Sequence, residues 1–231
     1  MPAVRWLWAL LVAILIAAAG SGATAAEPSA YPDPARLAAE VAAFAAADSV
    51  APPPVGAVVG VGSSSMRFWH PTIAADLAPL VVVPRGFGGS TMLDLLHYAQ
   101  PLVLACRPRL ILLYEGDNDI DVGVPPAEVR AVFDRFTALV HRELPETRIE
   151  VLAIKPSLAR WSRWPAMQET NRLLAAACAA DSLLGYIDVA TPMLGADGLP
   201  RRELFLPDML HLNEQGYALW TAVVRPVLVG D

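Results

Sequence analysis

The stretch Val58–His70, VVGVGSSSMRFWH, sets an apolar run directly against three serines. An apolar run broken by Gly and Ser reads as a buried strand passing into a loop. Loops at strand ends carry reactive side chains more often than other segments do, because a rigid scaffold holds them there. A serine hydroxyl is a weak nucleophile until a base takes its proton and donors stabilise the oxyanion that follows. Ser63, Ser64 and Ser65 are therefore either a polar turn or a nucleophile with two neighbours. The rest of the chain has to decide.

Working outward, the run Ala57–Val61 is the first of five. Leu80–Val83, Leu110–Tyr114, Ile149–Ile154 and Leu184–Val189 follow. They are almost continuously apolar, the pattern of parallel strands covered on both faces. Helical segments alternate with them. Val129, Val132, Phe133, Phe136, Leu139 and Val140 form one stripe at helical spacing, begun by Pro125-Pro126. Met167–Ala180 is a second helix. A last helix starts at an Asn213 cap and runs toward Arg225, where Pro226 disfavours continuation. Strand–helix alternation within one domain predicts a three-layer α/β/α fold. In such sheets ligands bind at the carboxyl ends of the strands. Those ends are where the polar and Gly-rich stretches fall: GSSS, PRGFGGST, EGDNDID, IKPS and, before the last helix, LPDMLHLN.

The first 26 residues read differently. Arg5 precedes a 14-residue apolar run, Trp6–Ala19, and Ala23-Thr24-Ala25 fits a small-residue cleavage signal. The run is short for a membrane span. We expect a signal peptide over residues 1–26, cleavage near Ala25 or Ala26, and a secreted or periplasmic protein; an uncleaved anchor helix is the alternative. No cysteine follows the apolar run, so a lipid anchor has no support. Residues 27–54 form a lead-in with a short helix over Ala35–Ala47, closed by Pro52-Pro53-Pro54. Residues 55–231 form the one domain. Of the chain's 231 residues, 205 follow Ala26, ample for one core and marginal for two. Cleavage removes one of 17 basic residues and none of 23 acidic ones, so the net charge of −6 becomes −7. That balance, with no basic run, argues against nucleic-acid binding. Cys106 and Cys178 lie in apolar surroundings and read as two buried free thiols.

Of the four histidines, His211 has an acid at a useful spacing, Asp208 three residues earlier. In a turn that spacing lets the carboxylate hold the imidazole tautomer. Asn118 in Gly116-Asp117-Asn118-Asp119 offers a side-chain NH₂ donor. Gly89 offers a backbone N–H with no side chain in the way. With the nucleophile's own N–H these make a three-donor oxyanion hole. Taken singly, each is equally at home in an ordinary turn: an Asp cap before a surface His, a Gly turn, an Asn turn.

Four blocks in order resemble the SGNH hydrolases, also called GDSL esterases. They are Gly62-Ser63-Ser64, the Gly-rich turn ending at Gly89, Gly116-Asp117-Asn118-Asp119, and Asp208-x-x-His211. The match spans residues 57–228. The resemblance implies a flavodoxin-like parallel five-stranded sheet. It also implies Ser64 as nucleophile, Gly89 and Asn118 as oxyanion donors, His211 as base and Asp208 as its orienter. One departure stands out: Ser63 occupies the place where the family usually has Asp, which is not a triad member. Ser65 and Arg67 resemble a GSSS-x-R variant, with Arg67 either positioning substrate or forming a loop ion pair.

Rival motifs fail on spacing. No Gly-x-Ser-x-Gly elbow surrounds Ser64, and no zinc helix or Walker loop is present. Asp117, Asp119, Asp121 and Glu128 imitate a calcium loop, but Val122 stands where that loop needs Gly. The reading implies an exported serine esterase without cofactor or metal, acting on short-chain or acetyl esters of a small molecule or glycan, with no nucleic-acid partner. A lysophospholipase or thioesterase of the same fold stays open, as does a non-catalytic glycan-binding or assembly protein. Trp69, Trp161 and Trp164, near the strand-end loops, either meet substrate or pack the loop bases.

Overall fold

The computed structural model describes residues 30–230. The expected signal peptide and its cleavage site lie outside the described residues. Five strands form one sheet: β1 (Val58–Gly62), β2 (Val82–Gly86), β3 (Leu110–Tyr114), β4 (Arg148–Leu152) and β5 (Leu184–Ile187). All neighbours are parallel, in the order β2-β1-β3-β4-β5. This is the doubly wound arrangement, with its switch point between β1 and β3. Gly62 pairs with Gly86 on one side and Tyr114 on the other, so the chain leaves β1, β2 and β3 at one level.

Nine α-helices are described: α1 (Ala38–Val50), α2 (Ser64–Trp69), α3 (Ile73–Asp76), α4 (Met92–His97), α5 (Ala99–Leu102), α6 (Asp117–Asp121), α7 (Pro126–Glu143), α8 (Trp164–Ala179) and α9 (Glu214–Val229). A 3₁₀ turn, Pro34–Leu37, capped by Asp33, leads into α1. The lead-in helix thus extends to Val50, three residues past the expected end. Helices α4, α7 and α8 pack side by side, while α3 meets α9, so the sheet is covered on both faces. Covered on both faces, β1 and β3 are buried throughout. The stripe of α7 meets the core through Val129, Val132, Phe133, Phe136 and Val140. Cys106 and Cys178 are buried and unpaired, and burial pushes the Cys178 thiol up to about 12.

Strand β2 and helix α9 depart furthest from expectation. Strand β2 runs Val82–Gly86, taking in Pro84 and Arg85, which read as loop in the sequence. It is an edge strand, where a missing ladder donor is tolerated. Buried Arg85 is paired with Asp48 of α1, 2.5 Å away. Helix α9 passes through Pro226 and ends at Val229. Pro226 lies in the last turn, so it forfeits one backbone bond there, and its carbonyl still accepts the Gly230 N–H at 3.1 Å.

Candidate active site

The chain turns out of β1 at Gly62, whose φ is +142°. A Cβ there would lie 1.9 Å from the Tyr114 carbonyl oxygen, so no other residue fits. The Ser63 N–H donates to that carbonyl at 3.1 Å, and α2 begins at the next residue, Ser64. The Ser63 hydroxyl caps none of the α2 N–H groups. As the first helical residue, Ser64 keeps its own N–H outside the helix ladder.

Asp208 and His211 come from the loop between β5 and α9. The His211 carbonyl accepts from the Leu206 N–H at 2.8 Å, closing the loop, and Met209 takes a left-handed φ of +56° inside it. Asp208 Oδ1 accepts the N–H groups of Leu210 and His211, each at 3.0 Å. Its Oδ2 lies 2.7 Å from His211 Nδ1. His211 Nε2 lies 3.0 Å from Ser64 Oγ. Burial pushes the Asp208 carboxyl up, but the hydrogen bonds from the His211 ring and the two amides outweigh it and hold it at about 2. An ionised carboxylate only accepts, so Nδ1 carries the proton and Nε2 presents its lone pair to the Ser64 hydroxyl. The Phe68 ring rests against the imidazole, centroids 4.8 Å apart.

Asn118 sits in α6, after β3. Its Nδ2 donates to the Ser90 carbonyl at 2.8 Å, and its Oδ1 accepts from Arg160 Nη1 at 3.0 Å. A guanidinium has no acceptor, so Arg160 fixes which end of the amide is which. One hydrogen of the NH₂ is taken by Ser90 and one remains. Arg160 is itself held by Asp117 at 2.7 Å and Asp121 at 3.0 Å. Lys155 Nζ takes the other Asp117 oxygen at 2.7 Å. Burial pushes the Asp117 carboxyl up, yet Lys155 and Arg160 overcome it and hold the group at about 2.

Gly89, after β2, has a left-handed φ of +75°. Its N–H donates to no described residue. Three N–H donors, from Ser64, Gly89 and Asn118, thus stand at the carboxyl ends of β1, β2 and β3. The structure brings all five expected residues to that edge. Through the Ser64–His211–Asp208 path the site can deprotonate a hydroxyl.

The other histidines are engaged elsewhere. His70 Nε2 accepts the Gly86 N–H at 2.8 Å, and burial pushes that imidazole down to about 4. The acidic residues of the calcium-like stretch diverge: Asp117 and Asp121 meet Arg160, whereas Asp119 accepts the Met92 N–H. Trp69 packs the core, fully buried against Tyr217 and Trp220, with ring centroids at 5.8 and 5.7 Å. Trp164 is buried as well, stacked on the half-buried Trp161. Arg67 forms a loose ion pair with Glu40 at 3.4 Å. The sequence alone does not single out Arg160 and Lys155; the one available signal was a lysine directly after the apolar run that holds β4.

Residues 54–219 match the model of the GDSL-like lipase/acylhydrolase family. No curated protein matches the chain. Among solved structures, a protein from Streptococcus pneumonia named as a platelet activating factor superposes with a TM-score of 0.74 at 19% identity, covering 83% of this chain and 92% of that one. A GDSL-like lipase from Bacteroides thetaiotaomicron VPI-5482 gives 0.69 at 18% identity, covering 82% and 97%. A variant of an acetyl-xylooligosaccharide esterase from Geobacillus Stearmophilus gives 0.60 at 14% identity, covering 74% and 93%. At these identities the likeness is one of fold.

Proposed function

The chain belongs to the GDSL-like lipase/acylhydrolase family and is an ester-bond hydrolase, and from that premise we propose that Ser64 is its nucleophile and short-chain esters its substrates. The observation that carries the assignment is the continuous path Ser64 Oγ to His211 Nε2 at 3.0 Å and His211 Nδ1 to Asp208 at 2.7 Å. His211 takes the Ser64 proton as Oγ attacks the ester carbonyl. Asp208 holds the tautomer and stabilises the imidazolium. The N–H groups of Ser64 and Gly89 and the Asn118 NH₂ receive the oxyanion. His211 then protonates the leaving alcohol, and water, deprotonated by His211, cleaves the acyl-enzyme.

The substrate in this reading is an acetyl ester on a small molecule or a glycan. The fold it shares with an acetyl-xylooligosaccharide esterase supports the same class. A second reading rests on one feature. A groove of about 470 Å³ runs beside Phe68, and although Asp76 and Glu214 line part of it, its apolar stretch of Phe68, Leu206, Leu212 and Tyr217 suits a longer acyl chain. We place the enzyme outside the cytoplasm on the Arg5, Trp6–Ala19 and Ala23-Thr24-Ala25 pattern. Among the described residues no helix is long and apolar enough to cross a membrane.

Ser64→Ala should abolish hydrolysis of p-nitrophenyl esters and labelling by a fluorophosphonate probe. Ser63→Ala and Ser65→Ala should keep both. Full activity in folded Ser64→Ala would remove the serine from the reaction. A panel of rising acyl length decides between acetyl and longer chains, and a protein that neither labels nor turns over any ester would be a binder. Terminal sequencing of the exported protein should read from Ala26 or Glu27.

A further inference from the structure

The segment Pro34–Val50 precedes the residues matched by the family model, which begin at residue 54. It nevertheless reaches the loop that carries Gly89. Arg36 Nη2 donates to the Gly89 carbonyl at 3.1 Å. The same guanidinium clamps Asp94, with Nη1 to Oδ1 at 2.8 Å and Nη2 to Oδ2 at 2.5 Å. Asp94 is fully buried and closes the capping box that starts α4, accepting from the Thr91 N–H at 2.8 Å. One turn further on, the Glu40 carboxylate accepts the Gly88 N–H at 3.2 and 3.3 Å and meets Arg67 at 3.4 Å. Arg67 lies directly under Gly88: a Cβ on Gly88 would stand 2.5 Å from its guanidinium carbon.

The peptide unit whose N–H belongs to Gly89 joins Gly88 to Gly89. The peptide unit before it is held through the Gly88 N–H, by Glu40. The one after it is held through the Gly89 carbonyl, by Arg36. Two consecutive glycines are the most freely rotating backbone a chain offers. Without those two contacts the Gly89 N–H has many directions open to it.

We infer that Arg36 and Glu40 are positioning residues, and that the lead-in segment aims the Gly89 N–H at the oxyanion. The inference rests on the reading of Ser64 as nucleophile and of Gly89 as a donor. An oxyanion donor acts only at the correct place and angle, and losing one costs roughly 10²–10³-fold in kcat. Misplacement of a reacting geometry by an ångström costs up to about a hundredfold. The contribution is to the transition state, so it moves kcat and leaves KM near its starting value.

Asp48 supplies the control. It sits on the same helix as Glu40, pairs with Arg85 at 2.5 Å and makes no hydrogen bond to Gly88 or Gly89. Asp48→Asn weakens helix docking without touching the loop. With the full chain and p-nitrophenyl acetate, Arg36→Ala should lower kcat by about ten- to a hundredfold with KM little changed. Arg36→Lys should recover part of it, because an ammonium lacks the fork that serves Asp94 and Gly89 together. Asp48→Asn should melt at lower temperature and keep its kcat. Normal kcat in folded Arg36→Ala, or an equal fall in Asp48→Asn, overturns the inference. Should Arg36→Ala not fold, Arg36→Lys and Glu40→Ala, which removes the acceptor for the Gly88 N–H, carry the test, and wild-type kcat in both overturns it. Ser64→Ala separates the two levels. If it stays active, the nucleophile reading and this inference both fall; if it is dead while Arg36→Ala is normal, only the inference falls.

Discussion

Arg160 lies 3.0 Å from Asn118 Oδ1 and can only donate, so the Asn118 NH₂ has to be the end that faces the Ser90 carbonyl. In the oxyanion hole we propose, the remaining Asn118 hydrogen would strengthen its bond as charge develops on the carbonyl oxygen. Its loss therefore raises the barrier more than it weakens substrate binding. Asn118→Ala should fold, keep KM and lose roughly 10²–10³-fold in kcat. Asn118→Asp keeps the shape and the Arg160 contact but removes both donors, so steady-state kinetics should show at least as large a fall. Near-normal kcat in either variant, where chemistry limits the rate, would take Asn118 out of the hole. The residues of the candidate site and its surroundings differ in how far the sequence shows them. Asn118, Gly89 and the Asp208–His211 pair stand out because each lies in a short local pattern. Arg160, Arg36 and Lys155 do not, because their partners are 42, 58 and 38 positions away and no local spacing announces them.

The β1–α2 junction carries the same contrast between local and distant causes. Gly62 is forced by a contact across the sheet, since a Cβ there would meet the Tyr114 carbonyl at 1.9 Å. Gly62→Ala should shift β1 against β3 and cost at least about 1–3 kcal/mol from the backbone conformation alone. Denaturant titration measures that loss; an unchanged midpoint would mean the junction relaxes freely. Strand β3 is readable to the residue, Leu110–Tyr114, because its burial is complete and its flanks are polar. Strand β2 is not. Pro84-Arg85-Gly86 has the composition of a loop, and only its edge position and the Asp48 ion pair make it a strand. The layered α/β order follows from periodicity, whereas the exact strand ends follow from which neighbours complete each ladder.

Across the molecule, the acidic groups behind the site pull stability in opposite directions with pH. Asp117, held at about 2 by Lys155 and Arg160 against its burial, has a folded pKa below the ordinary carboxylate value of roughly 3.9. Its contribution is present above that value and is lost as pH falls toward 2. Asp119 has the reverse sign. Burial raises it to about 7, although the Met92 amide and the Tyr31 hydroxyl pull it down. The folded protein then binds a proton that the unfolded chain has released. Stability therefore declines as pH climbs from about 4 through 7 and levels off above. Glu115, buried beside it and accepting the Ser90 hydroxyl at 2.5 Å, is also pushed well up and adds to the same slope. Asp119→Asn keeps an oxygen for the Met92 N–H and removes the titration. Thermal melts from pH 4 to 8 should show a flatter profile for this variant, with the wild type falling behind it above pH 7. A variant less stable than wild type at pH 8, with the wild-type slope retained, would mean that Asp119 is ionised throughout. Its charge would then be met by groups other than the Met92 amide.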